Sequence, residues 1–213
     1  MIGYVAKLFR STKDHCKYWK DRKIDWKKDY LSTWNHPHRQ FISALLSRFE
    51  WGSLFEVGCG GGANLVNIVQ KHKGRSVGGS DINKDCIQLA TETFEGGRFS
   101  VGSAEDVMMS DNSTDVVLSD MVMIYVSNPN EAIKEMKRVT RHYLLLSELH
   151  SESLYGRIKL KLTSGYNAHN YKKLLTKHGF TNIEFIKMTE EMWPGGNPQK
   201  TYGYFILAQK TKY

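Results

Sequence analysis

The sequence is sparing with cysteine and proline and contains no long apolar run. Its three cysteines, Cys16, Cys59 and Cys86, are odd in number and form no CxxC pair, which argues against a disulfide framework and against a structural zinc site. A reducing, cytoplasmic setting is expected. No stretch of about 18 apolar residues occurs, so no membrane-spanning helix is expected. The first apolar stretch, residues 2–9, is interrupted by Lys7 and is too short for the apolar region of a signal peptide. Only four prolines punctuate the chain, and there is neither an internal repeat nor a low-complexity tract. What is present is enough to build a core: of 213 residues, 40% are hydrophobic and 12% aromatic, which excludes global disorder and fits one domain with at most a short appendage.

Charge is unevenly placed. The formal net charge is +8, yet residues 1–50 hold 11 Lys or Arg against 5 Asp or Glu, and the rest of the chain 19 against 17. The same basic stretch carries Trp19, Trp26 and Trp34 beside Tyr18 and Tyr30. Interleaved bases and aromatics suit nucleic acid or an anionic membrane surface. The simpler reading is a pair of short helices whose aromatics pack on the main body and whose lysines face water. Residues 1–49 are therefore expected to form a helical arm or lid, and residues 50–213 the main domain.

From residue 51 the pattern alternates. An apolar strand at 54–57 runs into a glycine turn at 58–62, and Leu65, Val66, Ile68 and Val69 then recur at helical spacing. Residues 76–80 read as a second strand ending at Asp81, with Asn83 placed to cap the next helix. Strands follow at 99–101, 115–119 and 143–147, and Ser127 or Asn128 caps a helix that starts with Pro129. Residues 149–168 are expected as a loop or broken helix, Asn170 caps a helix ending at Gly179, and strands at 183–188 and 202–208, joined by the turn-rich WPGGNP, form a closing hairpin. The fold class is thus α/β: a doubly wound, mostly parallel seven-stranded sheet with an antiparallel hairpin at its end.

The segment EVGCGGG at 56–62 sits between strand and helix, where ligands gather in open sheets of this kind. Without a Cβ, Gly58 and Gly60 allow a sharp turn and close approach of a ligand, and the helix start presents free amides to an anion or zwitterion. Asp81, 23 residues after Gly58, stands where a carboxylate can accept the hydroxyl hydrogens of a ribose. Gly58, Gly60 and Ala63 also satisfy the dinucleotide pattern G-x-G-x-x-A. Three features favour a methionine-bearing nucleoside over a dinucleotide: the carboxylate of Glu56, which would repel a pyrophosphate and attract an ammonium, the long lead-in before the first strand, and the closing hairpin.

These residues resemble class I S-adenosylmethionine-dependent methyltransferases of the small, single-domain kind. EVGCGGG is similar to the first motif of that family, Asp81 in GGSDIN to the second, GSAED at 102–106 to the third, and SDMVMIYV at 119–126 to the fourth. The resemblance covers residues 50–148 and implies a Rossmann-like methyltransferase fold with S-adenosylmethionine as cofactor and S-adenosylhomocysteine as product. It further implies that Glu56, Gly58 and Gly60 surround the methionine part, Asp81 the ribose, Ile82 one adenine face, and Ala104 with Glu105 the adenine edge, beside Ser103 where the family commonly has aspartate. Cys59 in the first motif and Ser119 at the head of the fourth complete the expected cofactor contacts. The lead-in YWKDRKIDW…YLSTWNHPHR also resembles a segment that closes over the cofactor in small members.

Methyl transfer from a sulfonium is an in-line displacement, so alignment and water exclusion matter most. Expected catalytic residues lie at strand ends: Asp120 and Tyr125 after the fourth strand, and His150, with Glu148 nearby, after the fifth. His150 suits a general base. His36 and His38 flank a proline without metal-ligand spacing and are expected in surface or capping roles, with no metal bound. SDMV lacks the N/D-P-P-Y/F element that holds a flipped base. The expected acceptor is a small molecule, a metabolite, sugar or natural product, methylated on oxygen or nitrogen. The alternatives are RNA or protein engaged through the basic arm, a non-catalytic nucleoside-cofactor binder, or an NAD-dependent protein.

Overall fold

The structure, a computed structural model, describes residues 12–211; the apolar stretch at 2–9 and the start of the expected arm lie outside the described residues. Seven strands, β1 (Ser53–Val57), β2 (Ser76–Asp81), β3 (Arg98–Val101), β4 (Thr114–Asp120), β5 (Thr140–Leu149), β6 (Phe180–Lys187) and β7 (Gly203–Lys210), form one sheet in the order β3-β2-β1-β4-β5-β7-β6. The first five run parallel. β7 lies antiparallel between β5 and β6, so the hairpin expected from the sequence is present with its second strand inside the sheet.

Helices α1 (Thr12–Asp21), α2 (Trp26–Thr33) and α3 (Pro37–Leu45) precede β1. The crossovers carry α4 (Ala63–Lys71), α5 (Lys84–Thr93) and α6 (Pro129–Val139). Caps set their starts: the Asn83 side chain accepts from Asp85 N and Cys86 N, and Asn128 accepts from Glu131 N with Pro129 in the first turn. Beyond β5 come α7 (Leu154–Ser164), α8 (Tyr171–Lys177) and α9 (Asn197–Tyr202).

Two expectations are corrected here. Residues 154–164 form a regular helix, capped by the Ser153 side chain at Gly156 N and closed by Gly165 at φ 80°. Of its residues Leu160 alone is buried, whereas Leu154, Tyr155, Ile158 and Leu162 face solvent. The WPGGNP link continues into α9, whose Pro198 occupies the first turn.

Side chains alternate across the strands and divide the core into two layers. Phe55, Val57, Val117, Leu144 and Leu146 meet α6 and α8 on one face. Leu54, Val116, Leu118 and Leu145 meet α3 and α4 on the other. Ile42, Leu45 and Leu46 are buried in that second layer, so the segment before residue 50 divides: α3 is part of the core, and α1 and α2 lie over the carboxyl ends of the strands.

Candidate active site

A cavity of about 500 Å3 opens at the carboxyl ends of β1, β2 and β4, inside the roughly 300–1,000 Å3 range of small-ligand sites. One end is built by the β1–α4 turn. Gly58 and Gly60 adopt φ of 77° and 52°, the left-handed region that disfavours side chains. A Cβ on Gly58 would fall 2.1 Å from Val122 Cγ2, whereas one on Gly60 would meet nothing within 4 Å. The first glycine thus lets the turn pass the β4 exit, and the second leaves bare main chain facing open space. Asp81 ties this turn to β2, its Oδ2 accepting from Gly60 N at 3.0 Å and its Oδ1 from Asn83 N at 2.9 Å. Burial raises the Asp81 carboxyl, and the backbone donors oppose that rise.

The polar floor is a chain of buried groups. Glu56 is buried on β1, and Asn64 on α4 donates to its Oε1 at 2.5 Å and to Asp120 Oδ2 at 3.0 Å. Asn64 Oδ1 in turn accepts from Arg39 at 2.9 Å. His38 Nε2 lies 2.9 Å from Asp120 Oδ2. Burial would raise the Asp120 carboxyl, but the His38 ring and the Arg39 guanidinium outweigh it and hold it below the usual carboxylate range. Glu56 has no such cation in contact, and burial pushes its carboxyl up to about 8.

The roof comes from α1 and α2. Trp19, Trp26 and Tyr30 line the cavity while Lys17, Lys20, Lys27 and Lys28 face water. Arg22 stacks over the rings of Tyr18, Trp19 and Trp26. Asn83 Nδ2 fastens the roof by donating to Trp19 O at 2.8 Å and Arg22 O at 2.9 Å.

Most residues singled out from the sequence meet at this cavity. Glu56, Gly58, Cys59 and Gly60 line it from β1 and the turn, Asp81 and Ile82 from the end of β2, and Ser103, Ala104 and Glu105 from the loop after β3. Asp120 and Tyr125 also line it; burial first, then Tyr166, raises the Tyr125 hydroxyl above its ordinary range, so Tyr125 stays protonated at neutral pH. Two do not line it. Ser119 shares the strand face of Val117, opposite Asp120, and its hydroxyl lies 3.4 Å from Glu148 Oε1 beneath the site. His150 is a core histidine: its Nδ1 accepts from Tyr171 N at 3.1 Å, and its ring packs on Phe185 and Tyr204. The expected base at position 150 is therefore corrected, since the residue follows β5 onto the α8 side of the sheet.

The profile of a family described as methyltransferase domain matches residues 55–143. A Thermotoga maritima S-adenosylmethionine-dependent methyltransferase, described as a possible histamine N-methyltransferase, superposes with a TM-score of 0.62 at 18% identity, over 87% of this chain and 95% of its own. Residues 55–143 are thus similar to a methyltransferase domain, and the likeness to solved structures at such identities is one of fold. A Haloferax volcanii methyltransferase bound to the Trm112 methyltransferase activator gives 0.65 at 16% identity, covering 93% and 97%. A geranyl diphosphate methyltransferase in complex with GPP and sinefungin gives 0.65 at 16% identity, covering 81% and 78%. No curated protein matches the sequence.

Several residues of this site escape a motif-based reading: His36, His38 and Arg39 before β1, Asn64 on α4, and Trp193 with Gln199 from the β6–β7 link. One signal was available for His38. It stands four and seven residues before Ile42 and Leu45, on the buried face of α3. His36 stands at the N-cap position of α3, as expected, and also lines the cavity. Glu148 acts from below, its Oε1 accepting from Val122 N and Met123 N at 2.9 and 3.0 Å, and so shapes the β4 exit on which Tyr125 rides. Among the described residues, no group of three or more His, Cys, Asp or Glu side chains is placed to hold a metal ion.

Proposed function

We infer that this protein is an S-adenosylmethionine-dependent methyltransferase that moves a methyl group to an oxygen or nitrogen of a small molecule such as a metabolite, sugar or natural product. Enclosure carries the reading. The cavity is roofed by Trp19, Trp26 and Tyr30 and lined also by Tyr166, beside Tyr125, and Trp193, against His36 and His38, an enclosure that suits a compact acceptor and limits the access of water.

The chain's residues fit the cofactor. Glu56 faces the cavity with Oε2 buried and unpartnered among the described residues, a place for the ammonium of a methionine moiety. Gly60 offers main chain without a side chain in the way. Asp81 keeps free lone pairs for ribose hydroxyls, and Ile82 and Ala104 supply apolar surface for adenine beside Ser103 and Glu105. When bound, S-adenosylmethionine supplies a methyl group on a positively charged sulfur. The roles of the chain are to hold the acceptor in line, exclude water and take up the acceptor's proton.

An acceptor presented on RNA through the basic arm is the second reading. Its motive was the mixture of bases and tryptophans, but Trp19 and Trp26 line the cavity, which leaves fewer rings for bases to stack on.

Calorimetry with S-adenosylhomocysteine and with NAD tests the assignment. S-adenosylhomocysteine is expected to bind and NAD not to. Asp81→Asn is expected to weaken the former about 10- to 100-fold, the range of one hydrogen bond to a charged group. Binding of NAD alone would overturn the reading, and unchanged affinity in the variant would remove the ribose role of Asp81.

A further inference from the structure

The segment before β1 contributes two histidines to the cavity wall, and their geometry forms a relay. His38 is 3% exposed. Its Nε2 lies 2.9 Å from Asp120 Oδ2, and because a carboxylate there accepts, this nitrogen carries a hydrogen. Its Nδ1 lies 2.6 Å from Nδ1 of His36; with both rings neutral and the His38 hydrogen on Nε2, His38 Nδ1 accepts from His36 Nδ1–H, which leaves a lone pair on His36 Nε2. The His36 ring stands at the start of α3, its Nδ1 3.4 Å from the His38 backbone nitrogen. Nε2 of His36 has no hydrogen-bond partner among the described residues, and the ring lines the cavity. Trp193 braces the pair, stacked on His38 with centroids 4.1 Å apart and 5.3 Å from His36.

We propose that His36 is the catalytic base of methyl transfer, that His38 and Asp120 position it and balance its charge, and that the acceptor reacts through an ionisable O–H or N–H group. This rests on the methyltransferase reading above. In the step, the acceptor hydrogen passes to His36 Nε2 as the acceptor lone pair forms its bond to the methyl carbon. The carbon–sulfur bond breaks with its electron pair on sulfur, so the positive charge lost there reappears on the imidazolium. The Nδ1–Nδ1 contact shares that charge with His38, whose far nitrogen faces the Asp120 carboxylate.

The charged groups around His36 agree with this role. His38 and Arg39 face it from α3 and Asp120 from the end of β4, with Glu56 on β1 behind Asn64. The β6–β7 link adds only the uncharged Trp193 and Gln199. Burial first, then His38 and Arg39, lower the affinity of His36 for a proton, and Asp120 partly restores it. The ring is neutral at pH 7 and free to accept.

The test is a pH titration of imidazole 15N resonances in the full chain saturated with S-adenosylhomocysteine, in the parent, Asp120→Asn and His36→Asn. His36 and His38 are expected to respond together, and Asp120→Asn to lower the His36 midpoint by about one unit as the nearby anion is lost. An unmoved midpoint overturns the relay. His36→Asn keeps a good cap, and it is expected to bind S-adenosylhomocysteine as the parent does. For any of phenol, benzyl alcohol or benzylamine that the parent methylates, this variant is expected to lose about 10²- to 10⁴-fold in kcat at unchanged KM; a loss below threefold overturns the base assignment. If the parent does not bind S-adenosylhomocysteine, the cofactor reading itself falls, whereas independent histidine titrations with the product bound overturn only this inference.

Discussion

Glu56 is the residue whose chemistry is expected to change most when the site fills. Its carboxyl titrates at about 8 because burial strips it of water and Asn64 satisfies one oxygen only. At pH 7 the group is therefore mostly protonated in the free protein. An ammonium placed beside it would restore the carboxylate, so binding of S-adenosylhomocysteine at pH 7 is expected to release close to one proton, read by calorimetry in buffers of different ionisation enthalpy. Glu56→Gln is expected to bring the release near zero, and a parent that releases none contradicts the ammonium contact. At this scale the sequence was legible where chemistry is local: a strand, a turn and the tip of the next strand are adjacent in any doubly wound sheet, so Glu56, Gly58, Gly60 and Asp81 were bound to meet. It was illegible where strand phase decides. Ser119 and Asp120 are neighbours on β4 yet face opposite layers, and His150 follows its strand into the α8 side. Nothing local to NHPHR announces that Asp120, 82 positions beyond His38, completes the pair.

Among the elements, α5 has a cap with two jobs. The oxygen of Asn83 holds the helix start and its nitrogen holds the roof. Asn83→Asp keeps the acceptor and removes both donors. Two neutral hydrogen bonds are together worth about 2 kcal/mol, so this change is expected to speed dissociation of S-adenosylhomocysteine roughly tenfold or more in stopped-flow displacement, with α5 intact. Dissociation at the parental rate would show that α1 and α2 do not retain the ligand. Caps made the helix starts at 84, 129 and 171 readable in advance, because an Asn side chain with a free acceptor states where a helix begins. The failure at α7 has another root: Leu154, Ile158 and Leu162 recur at helical spacing but face solvent, and the polar residues around them together with Gly156 and Gly165 read as a loop.

The whole molecule carries an uneven titration. Glu56 and Glu148 both sit near 8 in the fold, against about 4.3 when unfolded. Between these values the folded chain holds protons that the unfolded chain has shed, so each group subtracts stability as pH rises, by up to about 1.4 kcal/mol per pH unit. His36, His150 and His169, lowered by burial, act the other way but finish near pH 6.5. Asp120, held low, contributes stability that is lost only when pH falls through the acid range. The urea midpoint of the ligand-free protein is accordingly expected to fall from pH 6.5 to 8 and to level off above. Glu148→Gln and Glu56→Gln should each flatten the fall, and a midpoint that climbs over this interval would contradict the two raised carboxyls.

The place of β7 has a consequence for how the molecule is made. Because it lies between β5 and β6, a nascent chain that has emerged only as far as β6 presents β5 with a row of unpaired amides and carbonyls, and β6 has no neighbour to join. The two strands can be reconciled only once residues 203–210 have cleared the ribosome. The half-built sheet thus carries an edge open to self-association until the final strand inserts.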